Sequence, residues 1–305
     1  MSTLTIKLKK YIHRLRWKIY IYPSLSIIIK NQLTWLFNRK QCILIDGYLV
    51  NFYHHPPKYQ NWGDDLNIYL FEKITGKKII PVKTLLFSKF LTKYSIIGST
   101  IPGYITDNTI IWGSGVLYLD QPLRTKPKAV LAVRGPLTRE YLLNYKVDCP
   151  EIYGDPALLL PRYYHPNKSK RYKVGLIPHH RDYDVANFDK YLEQNEDITL
   201  IDMAHYGGNF FEVIDKICSC DVILSSSLHG LIVADAYGIK NMFCEFEYHH
   251  RNYDKYHDYF LSVGRKFAEP VKIQSVFNQI DTLQISDYSI SIDLEKMINV
   301  CPFKI

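Results

Sequence analysis

From residue 42 onward the chain alternates short apolar runs with helical patterns about ten residues long, and this alternation constrains the fold more than any other feature. The runs predict strands at Ile43–Ile45, Lys78–Val82, Ser95–Gly98, Thr109–Trp112, Ala129–Val133, Val174–Ile177, Thr199–Ile201, Val222–Leu224 and Met242–Phe246. The intervening patterns predict helices at Asp64–Thr75, Pro136–Asn144, Asn209–Cys218 and Gly230–Tyr237, with a last one at Ser289–Val300. Short strands joined through helices pair in parallel and are covered by helices on both faces. A polar stretch with proline and lysine, Pro161–Tyr172, lies near the middle and reads as a linker. The expected fold class is α/β: two Rossmann-like domains facing a cleft, residues 41–165 and 166–305, the last helix closing the second. Ligands of such open sheets bind beyond the carboxyl ends of the strands.

The first 40 residues do not fit this alternation. They hold nine Lys and Arg and no Asp or Glu, whereas residues 41–305 carry a net charge of −1, so the chain's +8 is almost wholly a property of one end. A near-neutral body gives no support to nucleic-acid binding. Leu4, Leu8, Tyr11, Ile12, Leu15, Ile19 and Tyr22 fall within an arc of about 100° on a helical projection, and Lys7, Lys9, Lys10, Arg14, Arg16 and Lys18 fall outside it. Residues 1–40 are therefore expected to form a basic amphipathic arm that lies on an anionic membrane surface. The longest uncharged run nearby, Ile19–Ile29, contains a proline and is too short to span a bilayer. Six cysteines without a Cys-x-x-Cys spacing are too few for a disulfide scaffold and suit a reduced, cytoplasmic compartment.

Four strand ends carry reactive side chains. Val222–Leu224 runs into Ser225-Ser226-Ser227-Leu228-His229-Gly230, where a serine can cap the next helix and His229 faces the anion site formed by its first turn. Val174–Ile177 leads to Pro178-His179-His180-Arg181-Asp182, two imidazoles beside a guanidinium that can clamp a phosphate or carboxylate. Ala129–Val133 ends at Arg134-Gly135-Pro136, a cation beside a helix start. Asn61-Trp62-Gly63-Asp64-Asp65 opens a helix, with two carboxylates that can cap it or accept protons from sugar hydroxyls. Gly113-Ser114-Gly115 ends a further strand and permits close backbone approach. His249, His250 and His257 lie with tyrosines and Arg251 in what reads as a polar loop, a low-grade metal candidate; no metal site is assigned.

Together these elements resemble the polysaccharide pyruvyl transferase family. The resemblance rests on Asn61-Trp62-Gly63-Asp64, Gly113-Ser114-Gly115, Val133-Arg134-Gly135-Pro136, Gly154-Asp155-Pro156-Ala157, Ile177-Pro178-His179 and Ser225–Gly230, in the family's order over about residues 42–265. Tyr256-His257-Asp258-Tyr259 with Ser262-Val263-Gly264 is similar to its closing motif. The resemblance implies a GT-B-like pair of domains. It also implies transfer of pyruvate from phosphoenolpyruvate to two hydroxyls of one sugar of a bacterial surface polysaccharide or its lipid-linked precursor, as a cyclic ketal with release of phosphate. His229 is implied as the acid, with Arg134 and His179 in the same site. Arg134, Arg181, Ser226, Ser227, Gly230, Gly113 and Ser114 would hold the donor, and Asn61, Asp64 and Asp65 the acceptor. Many members carry Arg or Lys where this chain has Ser227, so the resemblance shifts that contact to Arg181. Phosphoenolpyruvate is then a co-substrate and no cofactor is needed; the expected location is the cytoplasmic membrane's inner face. The alternatives are a GT-B nucleotide-sugar glycosyltransferase, which needs a ribose-binding carboxylate such as Glu245 or Glu247, and a non-catalytic glycan or membrane assembly protein.

Overall fold

In the computed structural model the described residues are 22–54, 60–166, 169–184, 186–193, 195–277, 285 and 288–303. The amphipathic arm expected over residues 4–22 therefore lies almost wholly outside them. The described chain begins with α1 (Leu25–Asn38), followed by β1 (Cys42–Ile45), α2 (Trp62–Thr75), β2 (Lys78–Pro81), β3 (Lys93–Ser95), β4 (Thr109–Trp112), β5 (Ala129–Ala132) and α3 (Pro136–Asn144). After a 3-10 helix at Pro156–Arg162 come β6 (Tyr172–Ile177), α4 (Asp189–Leu192), β7 (Ile198–Leu200), α5 (Phe210–Cys218), β8 (Cys220–Ser225), α6 (Leu228–Ala236) and β9 (Lys240–Glu245). The chain closes with α7 (Asp254–Ser262), β10 (Val271–Lys272), α8 (Ile273–Phe277) and α9 (Leu294–Asn299).

The strands form two five-stranded sheets, ordered β2-β1-β3-β4-β5 and β10-β9-β8-β6-β7, and every pairing between named strands is parallel. In each sheet the chain starts at an inner strand, steps outward once, then returns past its start and continues in the other direction. The two halves thus share one topology, although the sequence carries no visible repeat. Each reversal creates a switch point where neighbouring connections leave on opposite faces, between β1 and β3 in the first sheet and between β6 and β8 in the second.

Local chemistry accounts for the element ends. Asp64 and Asp65 stand in the first turn of α2, and Gly76 ends the helix at φ 63, its N–H bonded to Glu72 O. Pro136 opens α3. The expected strand at Ser95–Gly98 is realised as Lys93–Ser95, because Ile97 N and O are taken by the Asn67 side chain at 3.0 Å each rather than by a neighbouring strand.

One apolar core runs through both halves. It includes Ile43, Trp62 and Trp112 from the first, Ile177, Ile223 and Tyr259 from the second, and the buried Leu158, Leu159 and Leu160 between them. The segment read as a linker is packed: Tyr164 stacks on Phe211 and donates to Asp215 at 2.9 Å. The end of the chain returns to the first half, where Trp112 Nε1 donates to Met297 O at 2.9 Å and Phe303 packs on Tyr94. Cys42, Cys149, Cys218, Cys220, Cys244 and Cys301 are all unbridged, and no helix among the described residues is long and apolar enough to cross a membrane.

Candidate active site

The two halves meet where α2 begins. Trp62 Nε1 donates to Phe210 O at 2.7 Å, the Trp62 ring stacks on Phe210, and Trp62 N donates to Met203 O at 2.9 Å. Asp65 is buried in the same contact, its carboxylate accepting from Asn51 at 2.8 Å and from the Tyr206 hydroxyl at 2.6 Å. Its expected acceptor role therefore competes with a structural one. Burial pushes Asp65 up to about 7 against those hydrogen bonds. Gly63 lies directly against His229: a Cβ built on it would fall 1.9 Å from His229 Nδ1. A glycine at this position is what lets the imidazole of one half touch the helix of the other.

His229 is on the first turn of α6, which leaves the carboxyl end of β8 at the second switch point. Its Nε2 is buried without a hydrogen-bond partner. Burial, then the positive charges of Lys255 and Arg134, pull its pKa down to about 3, so the protein's own groups hold the ring neutral. The serines ahead of it do not cap the helix as expected. Ser227 occupies the N-cap with extended backbone, yet its side chain makes no capping bond. The Ser226 hydroxyl donates to Asp182 at 2.8 Å and accepts from His179 N at 2.7 Å. The first-turn N–H groups thus lack a side-chain cap, the arrangement that suits an anion. Gly230 serves packing, since a Cβ there would come within 2.5 Å of Ser225 Oγ and 2.9 Å of Ile177.

The loop after β6 crosses the switch point beside Ser226. His179 packs against His180 at 4.1 Å, His250 at 4.7 Å and Tyr248 at 5.5 Å between ring centroids. Burial holds His179 well below the usual imidazole range and brings His180 and His250 down to about 3. Arg181 is exposed at the rim; it donates to the Tyr248 hydroxyl at 2.5 Å and lies over that ring. Asp182 is fully buried and accepts from the backbone of His179, Glu247 and Tyr248 as well as from Ser226, so it ties together the loops after β6, β8 and β9.

On the first sheet, Arg134 is fully buried. Nε donates to Asp258 at 3.0 Å, Nη1 to Ser99 at 2.8 Å and Nη2 to Val116 O at 2.7 Å. Asp258 also accepts from Thr138 N and Thr138 Oγ1. Three of the five guanidinium N–H groups are thus committed to the fold, and the buried ion pair joins β5 to α7. Gly113 adopts φ 99, and Pro156 leaves no room there for a side chain. Gly113 N donates to Ala132 O and Gly115 N to Gly98 O, while buried Ser114 bonds Ser95. The Gly-Ser-Gly turn therefore packs against Gly154-Asp155-Pro156. Asp64 accepts from Asn61 Nδ2 at 2.6 Å and stands close to Gly98; burial and Asp65 push it up to about 8.

Two groups escaped the sequence reading. Lys255, on the first turn of α7, is half-buried, and burial and Arg134 draw its amine down to about 7. Its charge reaches Asp64, His179, His180, His229 and His250 alike, which places it centrally among the candidates. Tyr256, Tyr259, Phe260 and Val263 recur at helical spacing and mark α7, a signal masked by the polar residues between them. Asp46, directly after β1, is buried with Oδ1 unpartnered and is raised to about 6 by burial. Among the described residues no group of three or more His, Cys, Asp or Glu is placed to hold a metal ion, and His257 stacks on Phe267 away from His249 and His250. The Glu245 carboxylate is engaged by Tyr253 and His249, and Glu247 by Lys190 and Gln274.

Two parallel α/β sheets bring reactive side chains together at one junction, the usual place for a ligand of such sheets. The polysaccharide pyruvyl transferase family model matches residues 41–246, and the chain belongs to that family. It is 28% identical over 201 residues to an uncharacterized protein of Acanthamoeba polyphaga mimivirus, covering 64% of this chain and 68% of that one. It is 29% identical over 195 residues to the succinoglycan biosynthesis protein ExoV of Rhizobium meliloti, covering 61% of this chain and 57% of ExoV. A crystal structure of a functionally uncharacterized Klebsiella pneumoniae protein aligns over 78% of this chain and 94% of its own, at 14% identity and a TM-score of 0.42.

Proposed function

We propose that this transferase moves the pyruvyl group of phosphoenolpyruvate onto two hydroxyls of one sugar in a surface polysaccharide or its lipid-linked precursor, between two domains arranged as in GT-B enzymes. The observation that carries the proposal is the unpartnered Nε2 of His229 at an N-terminus without a side-chain cap, flanked by Lys255 and Arg134. A compact trianion suits that setting. Its phosphate faces the first turn of α6, and its charge offsets the two cations that otherwise keep His229 from binding a proton.

His229 then protonates the donor methylene carbon, and the former double-bond carbon gains oxocarbenium character. One sugar hydroxyl adds to that carbon and its proton goes to the returning imidazole, which has just given up its own. The carbon–oxygen bond to phosphate breaks, the second hydroxyl closes the ketal, and its proton leaves with the phosphate. Donor and diol thus give ketal and inorganic phosphate, with no change of oxidation state and no cofactor. His179 and Arg181 line the donor side, and Asn61 and Asp64 the acceptor side. The glycosyltransferase alternative lacks a free carboxylate at Glu245 or Glu247, because both are engaged. Residues 1–40 hold the enzyme on the inner face of the cytoplasmic membrane, within reach of a lipid-linked acceptor.

The test is incubation with phosphoenolpyruvate and a panel of synthetic and lipid-linked glycosides. Phosphate release matched by a product heavier by one pyruvate less water is expected. Donor binding and product both absent across the panel would remove the proposal.

A further inference from the structure

Helix α1 is apolar on its outer surface as well as on the face it packs. Leu25, Ile29, Leu33, Leu36 and Phe37 fall within about 120° of one another on the helical projection and are all exposed, Phe37 to 81%. The inward arc carries half-buried Ile28 and Trp35, the latter packed on Leu44, Ile80, Val82 and Leu85, and with them two amides. Asn31 donates to Thr84 Oγ1 at 2.8 Å, and Gln32 Oε1 accepts from Leu86 N at 3.0 Å. Those bonds fasten α1 to the loop after β2, which presents Leu86, Phe87 and Phe90, the last two 84% and 76% exposed. Eight of the thirteen exposed large hydrophobic side chains among the described residues lie in these two adjoining segments. Soluble surfaces rarely gather so many in one place.

The loop is also held in shape. Phe87 adopts φ 58, a left-handed conformation that costs a residue with a side chain about 1 kcal/mol. Ser88–Phe90 forms a 3-10 turn, Asn108 Nδ2 donates to Lys89 O at 3.3 Å, and Lys93 Nζ donates to Ser88 O. Backbone strain kept in a pinned loop that turns aromatic rings outward is a sign of a surface used for contact.

Charge identifies the partner. Residues 22–45 and 76–106 hold eight Lys and Arg and no Asp or Glu. Lys30, Arg39, Lys40, Lys83 and Lys89 are exposed among the apolar side chains. A protein partner is ordinarily matched by both signs of charge, whereas a surplus of cations around exposed aromatics, with exposed Asp107 at its margin, matches anionic headgroups above an acyl layer. We infer that α1 and the loop Leu85–Leu91 form one bilayer-docking face, built by folded residues and separate from residues 1–21. The loop springs from the carboxyl end of β2, the sheet edge that also bears Asp46 and the Asp64 side of the site. Docking there turns that edge toward the membrane.

This extends the membrane setting suggested for the arm, and its readout is lipid partition rather than turnover, so it stands or falls apart from the chemistry. The full chain is floated with vesicles of phosphatidylglycerol and phosphatidylcholine, and with phosphatidylcholine alone. The wild type partitions to the anionic vesicles. A Leu86→Ser, Phe87→Ser, Phe90→Ser variant, and separately Leu33→Ser with Phe37→Ser, lowers the partition coefficient at least ten-fold with the melting temperature retained. Unchanged partition in both variants overturns the inference. So does binding that appears only when residues 1–21 are removed, which would make the arm itself the occupant. Absence of vesicle binding together with a dimer that the variants dissociate would make a second copy the occupant, and equally overturns it.

Discussion

The two sheets repeat one strand order, yet their switch points carry opposite chemistry. Beyond β1 and β3 stand carboxylates, Asp46 and Asp64, both raised by burial. Beyond β6 and β8 stand imidazoles and cations, His179, His180 and His229 with Arg181 at the rim, and the imidazoles are all held neutral by burial. Topology fixes where a ligand can sit, and the residue at each strand end fixes which ligand. An acidic edge suits sugar hydroxyls, and a basic edge with an open helix start suits a phosphorylated acid.

The sharpest way to break this division is at its basic pole. His229→Ala should lower turnover by about 10²- to 10⁴-fold, the usual worth of a general acid, and leave the melting temperature nearly unchanged. Phosphate release measured with saturating donor checks it, and full activity would end the assignment. Gly63→Ala attacks the contact between the poles. The new methyl collides with His229, so the expected loss is about 1–3 kcal/mol of stability and most of the activity, read by calorimetry and turnover together.

Lys255→Gln should weaken donor binding by about 10- to 100-fold, the worth of a charge-assisted hydrogen bond. It also removes a cation that depresses His179, His180, His229 and His250, so the alkaline limb of the pH–rate profile, where the acid loses its proton, should move to higher pH. An unmoved limb would show that Lys255 acts elsewhere.

Asp64→Asn probes the acidic pole by raising acceptor KM about ten-fold while donor binding stays constant. Asp64 is raised from 3.8 to about 8 in the folded chain, so its contribution to stability is complete below pH 4 and is lost as pH rises through 8. The asparagine variant does not titrate, and its melting temperature should gain on the wild type steadily from pH 5 to pH 8. A constant difference would contradict the shift. Smallest of all, Arg181→Ala at the exposed rim should raise donor KM by no more than about five-fold.

Much of this was legible in the sequence because parallel sheets advertise themselves. Thr109–Trp112 and Pro136–Asn144 fall where the apolar runs and the proline put them, and most other elements shift by one to three residues at their ends. The motifs at Asn61–Asp64, Pro178–His179 and Ser225–Gly230 were legible as strand and helix ends. What the spacing could not convey is which motif residues face the junction and which pack. Gly113, Gly230 and Asp65 are consumed by close contacts across distant parts of the chain, and Arg134 finds its partner in Asp258, far along the sequence. Helix α1 was hidden for a different reason. It is apolar on its packed face and on its outer face alike, so the pattern resembled a run interrupted by proline rather than an amphipathic helix packed on a domain.

The feature with the widest reach is α7. Tyr256 donates to Ser226 O at 2.7 Å and Tyr259 to Asp235 at 2.8 Å, both on the second half, while Asp258 holds Arg134 and Thr138 of the first. A single turn of helix, about 5.4 Å in pitch, is therefore gripped from both sides. It works as a caliper. The distance between the imidazoles and the carboxylates is set by the rigidity of that turn, and widening it means breaking a buried ion pair at a cost of about 3–5 kcal/mol. Under the proposed reaction the two sugar hydroxyls are then presented at the end of a chain or on a protruding unit, since a jaw of fixed gauge admits what is slender and turns away what is thick.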